Sequence, residues 1–219
     1  MKSGASPIEY SKEPDDKNSF TEKQNKSYSK YAGLYDLSVK LLPFWKTWLK
    51  KALPHVRGRR VLEVSFGTGY LLTKYARNHE TYGIDYNQKM VDIARRNCEK
   101  KNIRAHLQKG NVENLPFDDE SFDTILITMA FTGYPDADRA MSELRRTLKQ
   151  EGLLILIDFN YPENRNRLGV KLLKMMENAG DIIRDMPSLF HKHGFTFTDR
   201  EIGGFGSVHL YLAEKNRDD

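Results

Sequence analysis

The chain has 219 residues, of which 39% are hydrophobic and 30% charged, with a net charge of +5. That length fills one core, and no apolar run approaches the roughly 20 residues a bilayer span requires. Lys and Arg are interleaved with Asp and Glu, as in "SELRRTLKQE", so the basic excess reads as solvated surface and argues against a nucleic-acid face.

The opening stretch, "MKSGASPIEYSKEPDDKNSF", has no short apolar core and carries Glu9, Glu13, Asp15 and Asp16. Neither a secretory nor an organellar leader is expected, and the expected compartment is the cytoplasm. Residues 1–27 hold few apolar side chains and are expected to form a mobile tail. From Tyr28 to residue 58 the texture turns aromatic, and Leu41, Phe44, Trp45, Trp48 and Leu49 recur at helical spacing. This segment is expected to be a helical cap or lid on a domain spanning 59–215.

Within that domain "RRVLEVS" reads as a strand, followed by a helix through "GYLLTKYARN" and a second strand, "ETYGID". A helix then starts after Asn87, an N-cap residue, with Met90, Val91, Ala94 and Cys98 on one side. Cys98 is the only cysteine, so no internal disulfide exists, and its place on that stripe marks it as a packing residue. "IRAHLQKG" and the nearly all-apolar "FDTILITMA" are the third and fourth strands. A helix is expected over 136–152, with Gly152 as its stop, before a fifth strand, "LLILIDF". A helical region spans 165–193. "FTFTDREI" and "SVHLYLAEK" then form an antiparallel hairpin joined through Gly203, Gly204 and Gly206. Alternating strands and helices specify an α/β architecture, a mostly parallel sheet with helices on both faces and an antiparallel C-terminal strand.

Ligands of such sheets bind at the carboxyl ends of the strands, which directs attention to "VLEVSFGTGY", residues 61–70. A dinucleotide turn would need a third glycine where Leu72 stands, and no G-K-[ST] follows for a phosphate loop. A cofactor without a pyrophosphate escapes both requirements. The stretch resembles the first motif of class I S-adenosylmethionine-dependent methyltransferases, with Glu63, Gly67 and Gly69 matching and Ser65 in place of a glycine. The resemblance continues through "YGIDYN", "GNVENLPFDDESFD", "ELRRTLKQEGLLILIDF" and the closing strand pair, over about residues 28–215. It is nearest to the ubiquinone/menaquinone-biosynthesis branch and implies a Rossmann-like seven-stranded sheet.

By that resemblance the cofactor is S-adenosyl-L-methionine, released as S-adenosyl-L-homocysteine. Glu63 receives its ammonium, and Ser65, Gly67 and Gly69 turn beneath its methionine part. Asp85 holds both ribose hydroxyls, since one carboxylate has two acceptor oxygens. Tyr86 and Met90 flank the adenine. Asn111 replaces the usual aspartate but can still accept through its carbonyl oxygen, and Val112 offers a backbone N–H. Thr128 and Met129 end the fourth strand beside the cofactor. Tyr31 and Tyr35, with Tyr28, resemble a segment that closes over the ligand. Each residue also has a plainer reading, Asp85 as a helix-cap carboxylate and Glu63 as a solvated strand end.

Methyl transfer from a sulfonium is a one-step displacement, so alignment and exclusion of water are the protein's main tasks. Phe131 and Tyr134 follow the fourth strand, where this fold receives the acceptor, and Tyr35 is a further substrate-side candidate. His191, His193 and Tyr134 are the candidates for proton transfer, and no metal site is expected. The acceptor is expected to be small and partly apolar, and the protein a monomer or homodimer. Two other readings stay open: a catalytically inactive cofactor-binding or regulatory subunit, and an RNA methyltransferase.

Overall fold

The computed structural model describes residues 8–26 and 43–216. Its strands are β1 (Arg60–Val64), β2 (Glu80–Asp85), β3 (His106–Lys109), β4 (Phe122–Thr128), β5 (Leu148–Phe159), β6 (Phe195–Gly203) and β7 (Val208–Lys215). They form one sheet in the order β3-β2-β1-β4-β5-β7-β6. Strands β1 to β5 pair in parallel, and β7 runs antiparallel to both β5 and β6. The helices are α1 (17–26), α2 (Pro43–Lys50), α3 (Leu72–Tyr75), α4 (Gln88–Glu99), α5 (Ala137–Thr147), α6 (Arg167–Ala179) and α7 (Met186–Lys192).

Successive strand side chains point to opposite faces, and a sheet covered on both sides needs apolar residues at every position. Residues 153–157 of β5, all apolar and buried, meet this demand. Leu154 and Leu156 join the core beneath α5 and α7, whereas Ile155 and Ile157 join the core shared with α2, α3, α4 and α6. Helix α4 begins as its sequence predicts: Asn87 Oδ1 accepts from the Lys89 and Met90 N–H groups, and Met90, Val91, Ala94 and Cys98 are buried.

Two boundaries differ from the sequence reading. Helix α5 ends at Thr147 rather than 152, because Leu148 turns to extended geometry and pairs with Phe122, opening β5 early. Gly152 is therefore no helix stop. It sits where β5 folds over Leu148, and a Cβ there would lie 2.7 Å from Leu148 Cδ1 and 2.9 Å from the Lys149 carbonyl. The helical region 165–193 is two helices, separated where Gly180 adopts φ +108° and Asp185 caps α7.

The N-terminal segment, read from composition as a mobile tail, is laid along the C-terminal edge of the sheet over its described residues 8–26. Polar contacts hold it there, beside the packing of the Tyr10 ring on Tyr161. The Ser11 N–H donates to Ile183 O (2.9 Å), and Ser11 Oγ donates to Glu177 (2.6 Å). Lys17 reaches Asp136 (2.7 Å), Gln24 donates to Gly180 O (3.2 Å), and Asn25 Oδ1 accepts from Asn87 Nδ2 (2.8 Å).

Candidate active site

The turn after β1 carries three left-handed residues, Ser65 (φ +54°), Gly67 (φ +54°) and Gly69 (φ +72°). Gly69 needs its missing side chain, since a Cβ would meet that of Ala94 on α4 at 3.1 Å. Ser65 occupies a conformation that favours glycine. Its N–H donates to Ile84 O (2.7 Å), and its hydroxyl lies 2.8 Å from the Tyr134 hydroxyl across the cleft.

Two carboxylates flank this turn. Asp85 ends β2 and accepts backbone N–H groups from Gly67 (2.9 Å) and Asn87 (2.8 Å). Burial outweighs those two donors and raises its pKa to about 6. Glu63, 2% exposed on β1, accepts from the Tyr75 hydroxyl (2.9 Å). Burial, opposed by that bond and assisted by the nearby Asp85 charge, raises its pKa to about 8. Among the described residues neither acid has the cationic partner that a buried carboxylate ordinarily carries with it.

A cavity opens above the turn and brings together Ser65, Gly67, Asp85, Tyr86, Met90, Asn111, Val112, Thr128, Met129 and Tyr134. A smaller one shares Ser65, Gly67 and Thr128 with it and reaches Glu63 beneath Trp45 and Leu49. The expected cofactor residues therefore line two joined spaces, with Gly69 behind them as a packing glycine. Tyr86 is 39% exposed, with Lys109 Nζ 5.8 Å from its ring centre. Asn111 Oδ1 already accepts the Glu113 N–H (3.0 Å), so its carbonyl oxygen is shared with its own turn. Tyr31 and Tyr35 lie outside the described residues.

The acceptor-side candidates separate. Tyr134 lines the cavity, whereas Phe131 is buried behind it, ring centres 5.4 Å apart. His191 and His193 are not at this site. Helix α7 returns the chain to the start of β6, at the opposite edge of the sheet from the ends of β1, β2 and β4. There His193 Nε2 pairs with Asp138 (2.9 Å), and the His191 ring packs on Phe197.

Three polar residues lining the cavity escaped the sequence reading. Thr21, Gln24 and Asn25 of α1 line the main cavity, and their i, i+3, i+4 spacing was the available signal. Behind the 131–134 turn, the Thr132 hydroxyl lies 3.1 Å from Asp158 Oδ1 and 2.7 Å from Asp181 Oδ1. Burial, with the neighbouring Asp181 charge, raises Asp158 to about 6. The buried Arg184 guanidinium donates to the carbonyls of Phe131 (3.2 Å) and Tyr134, which fixes the turn that carries Tyr134. Nothing in the local sequence pairs these residues, because they come together only through the order of β4, β5 and the 181–185 loop.

Residues 62–156 match the family described as methyltransferase domain. A demethylmenaquinone methyltransferase of Thermotoga maritima is 31% identical over 150 residues, covering 65% of this chain and 64% of that protein. The ubiquinone/menaquinone biosynthesis C-methyltransferase UbiE of Geotalea uraniireducens is 28% identical over 152 residues, covering 64% of this chain and 65% of that protein. The chain thus spans somewhat under two thirds of the length of these relatives. The crystal structure of the YcgJ protein of Bacillus subtilis shares the fold, with a TM-score of 0.67 at 19% identity over 79% of this chain and 100% of that one. The matched stretch runs from β1 into β5 and contains Glu63, Ser65, Gly67 and Asp85, and over it the chain is similar to methyltransferase domains.

Proposed function

We propose that the protein transfers a methyl group from S-adenosylmethionine to a small, partly apolar acceptor. The observation that carries this reading is the pair of buried carboxylates, Glu63 and Asp85, at adjoining strand ends, one on each side of a left-handed turn. Their chemistry fits the two polar ends of that cofactor. Asp85 offers two oxygens to a vicinal diol while keeping its backbone donors, because each carboxylate oxygen has more than one lone pair. Glu63, opening onto the smaller space, supplies the counter-charge for an ammonium. Met90, Val112 and Tyr86 give the apolar and aromatic surface that a purine needs.

The bound cofactor supplies a methyl carbon whose leaving group is already activated by positive charge. What remains for the chain is placement and exclusion of water. The Ser65–Tyr134 bond ties the turn after β1 to the turn after β4, and Arg184 holds the latter from behind. Helix α1 covers the space through Thr21, Gln24 and Asn25. An acceptor approaching beside Tyr134 meets a wall of Ala130 and Met129, with Phe131 packed behind it. The relatives' names, which refer to menaquinone and ubiquinone synthesis, favour a quinol-like ring as that acceptor.

Calorimetric titration with S-adenosylmethionine and S-adenosylhomocysteine tests the cofactor half. Asp85→Ala is expected to weaken both by tenfold or more, the cost of about 1.5–3 kcal/mol for hydrogen bonds to a charged group. Wild-type protein that binds neither ligand refutes the reading. Turnover to S-adenosylhomocysteine across phenols, quinols, thiols and amines tests the acceptor half, and binding without any turnover would leave a cofactor-binding subunit.

A further inference from the structure

Among the described residues, three large apolar side chains are exposed away from the cleft: Leu168 (56%), Met175 (58%) and Phe205 (61%). They are neighbours. Leu168 and Met175 are seven residues apart on α6, so they stack along one line of the helix. Gly169, beside Leu168, packs against the β6–β7 turn so closely that a Cβ would come within 2.7 Å of the Phe205 carbonyl. That places Phe205 alongside the first turn of α6. The opposite side of the helix is used for the core, through the buried Gly169 and Leu173.

The backbone presents Phe205 at a cost. It sits at φ +58°, ψ +36°, flanked by Gly204 and Gly206 that are also left-handed. A bulky aromatic in that region is uncommon, and here its ring gains no burial in return. The charges around the ridge are mostly cationic: Arg165, Arg167, Lys171 and Lys174 are all exposed, on the loop before α6 or on its outer face. The acids near it, Glu163, Glu177 and Glu201, are fewer than these cations. Glu177 accepts from Ser11, and Glu201 accepts the Glu163 N–H.

We propose that the α6 face and the Phe205 turn form a docking surface for an anionic lipid bilayer. An apolar ridge bordered by cations on one helix is the pattern that lies in a headgroup interface. A protein-binding face would be expected to deplete lysine at its centre and to offer a larger buried anchor. The surface is independent of methyl transfer, so it stands or falls apart from the function proposed above.

The test is co-sedimentation of the full chain with phosphatidylcholine vesicles, with and without phosphatidylglycerol. Binding is expected only to the anionic vesicles and is expected to fall severalfold when salt is raised, because exposed charges are screened. Phe205→Asn keeps a residue that tolerates the left-handed turn and removes the ring. Combined with Met175→Gln it should lower partitioning by about tenfold or more, the factor expected from losing a buried aromatic and a thioether chain. Cofactor affinity should be unchanged in this variant, which controls for folding. Equal sedimentation with and without anionic lipid, or a variant that binds like wild type, overturns the proposal. Lipid-free self-association that the variant abolishes would also overturn it and assign the face to a second copy of the chain.

Discussion

Cofactor affinity should depend on pH in a way that isolates Glu63. In the ligand-free protein this carboxyl has a pKa of about 8 and holds its proton at neutral pH. Pairing with an ammonium requires the carboxylate, so binding must first expel that proton. The cost is about 1.4 kcal/mol at pH 7 and about twice that at pH 6. Affinity should therefore rise about tenfold from pH 6 to pH 7 on account of Glu63. Asp85, with its pKa of about 6, adds a further factor of about two over the same interval. The rise should level off near pH 8, where the ligand's own α-amino group, with an ordinary value of about 7.7–8.0, begins to lose its proton. The assay is calorimetry in buffers of different ionisation enthalpy, which reads directly the protons released on binding. Wild-type protein should release close to one proton at pH 6.5–7. Glu63→Gln should bind more weakly, release almost none and keep only the shallow slope due to Asp85. An affinity flat between pH 6 and 7, or a glutamine variant with the wild-type slope, would refute the role given to Glu63.

The same carboxyl makes a stability prediction for the empty protein. Its folded pKa lies above the ordinary 4.5, so the folded state holds a proton that the unfolded chain releases. The stability this proton contributes is full below pH 4.5 and is lost progressively up to pH 8. Glu63→Gln should thus gain about 3 kcal/mol over wild type at pH 7 and almost nothing at pH 4.5, measured by urea unfolding. Ser65→Gly should keep cofactor binding within tenfold, because glycine accepts φ +54° freely. A double-mutant cycle of Ser65→Gly with Tyr134→Phe should show a coupling of about 1 kcal/mol in stability, the worth of one hydrogen bond. Gly152→Ala should destabilise by about 1–3 kcal/mol in thermal unfolding, since its Cβ has no room above Leu148.

The alternation of strands and helices was legible because nearly every buried strand residue is apolar and each helix carries a stripe. The ends of α5 and β5 were not, because the pairing of Leu148 with Phe122 is a tertiary event that overrides helical spacing. The residues at the ends of β1 and β2 could be found from sequence, as Glu63, Ser65, Gly67 and Asp85 sit at strand-to-turn junctions that announce themselves. Thr21, Gln24 and Asn25 could not be found by composition, which counts polar side chains as solvated even where they face a cavity. His191 and His193 were singled out by residue type alone. Neither lines the cavity, because the helix that carries them leads into the start of β6.

Asn87 makes contacts in two directions with one side chain. Its oxygen caps α4 by accepting from the Lys89 and Met90 N–H groups, and its nitrogen donates to Asn25 of the covering helix. The amide cannot be turned over without presenting like to like at both ends, so its orientation is unique. Any lifting of α1 off the cleft therefore removes the bracing that steadies this cap. Deuterium uptake at the amides of Lys89 and Met90 becomes a local meter of the cover's position, readable without a label and without knowledge of the acceptor.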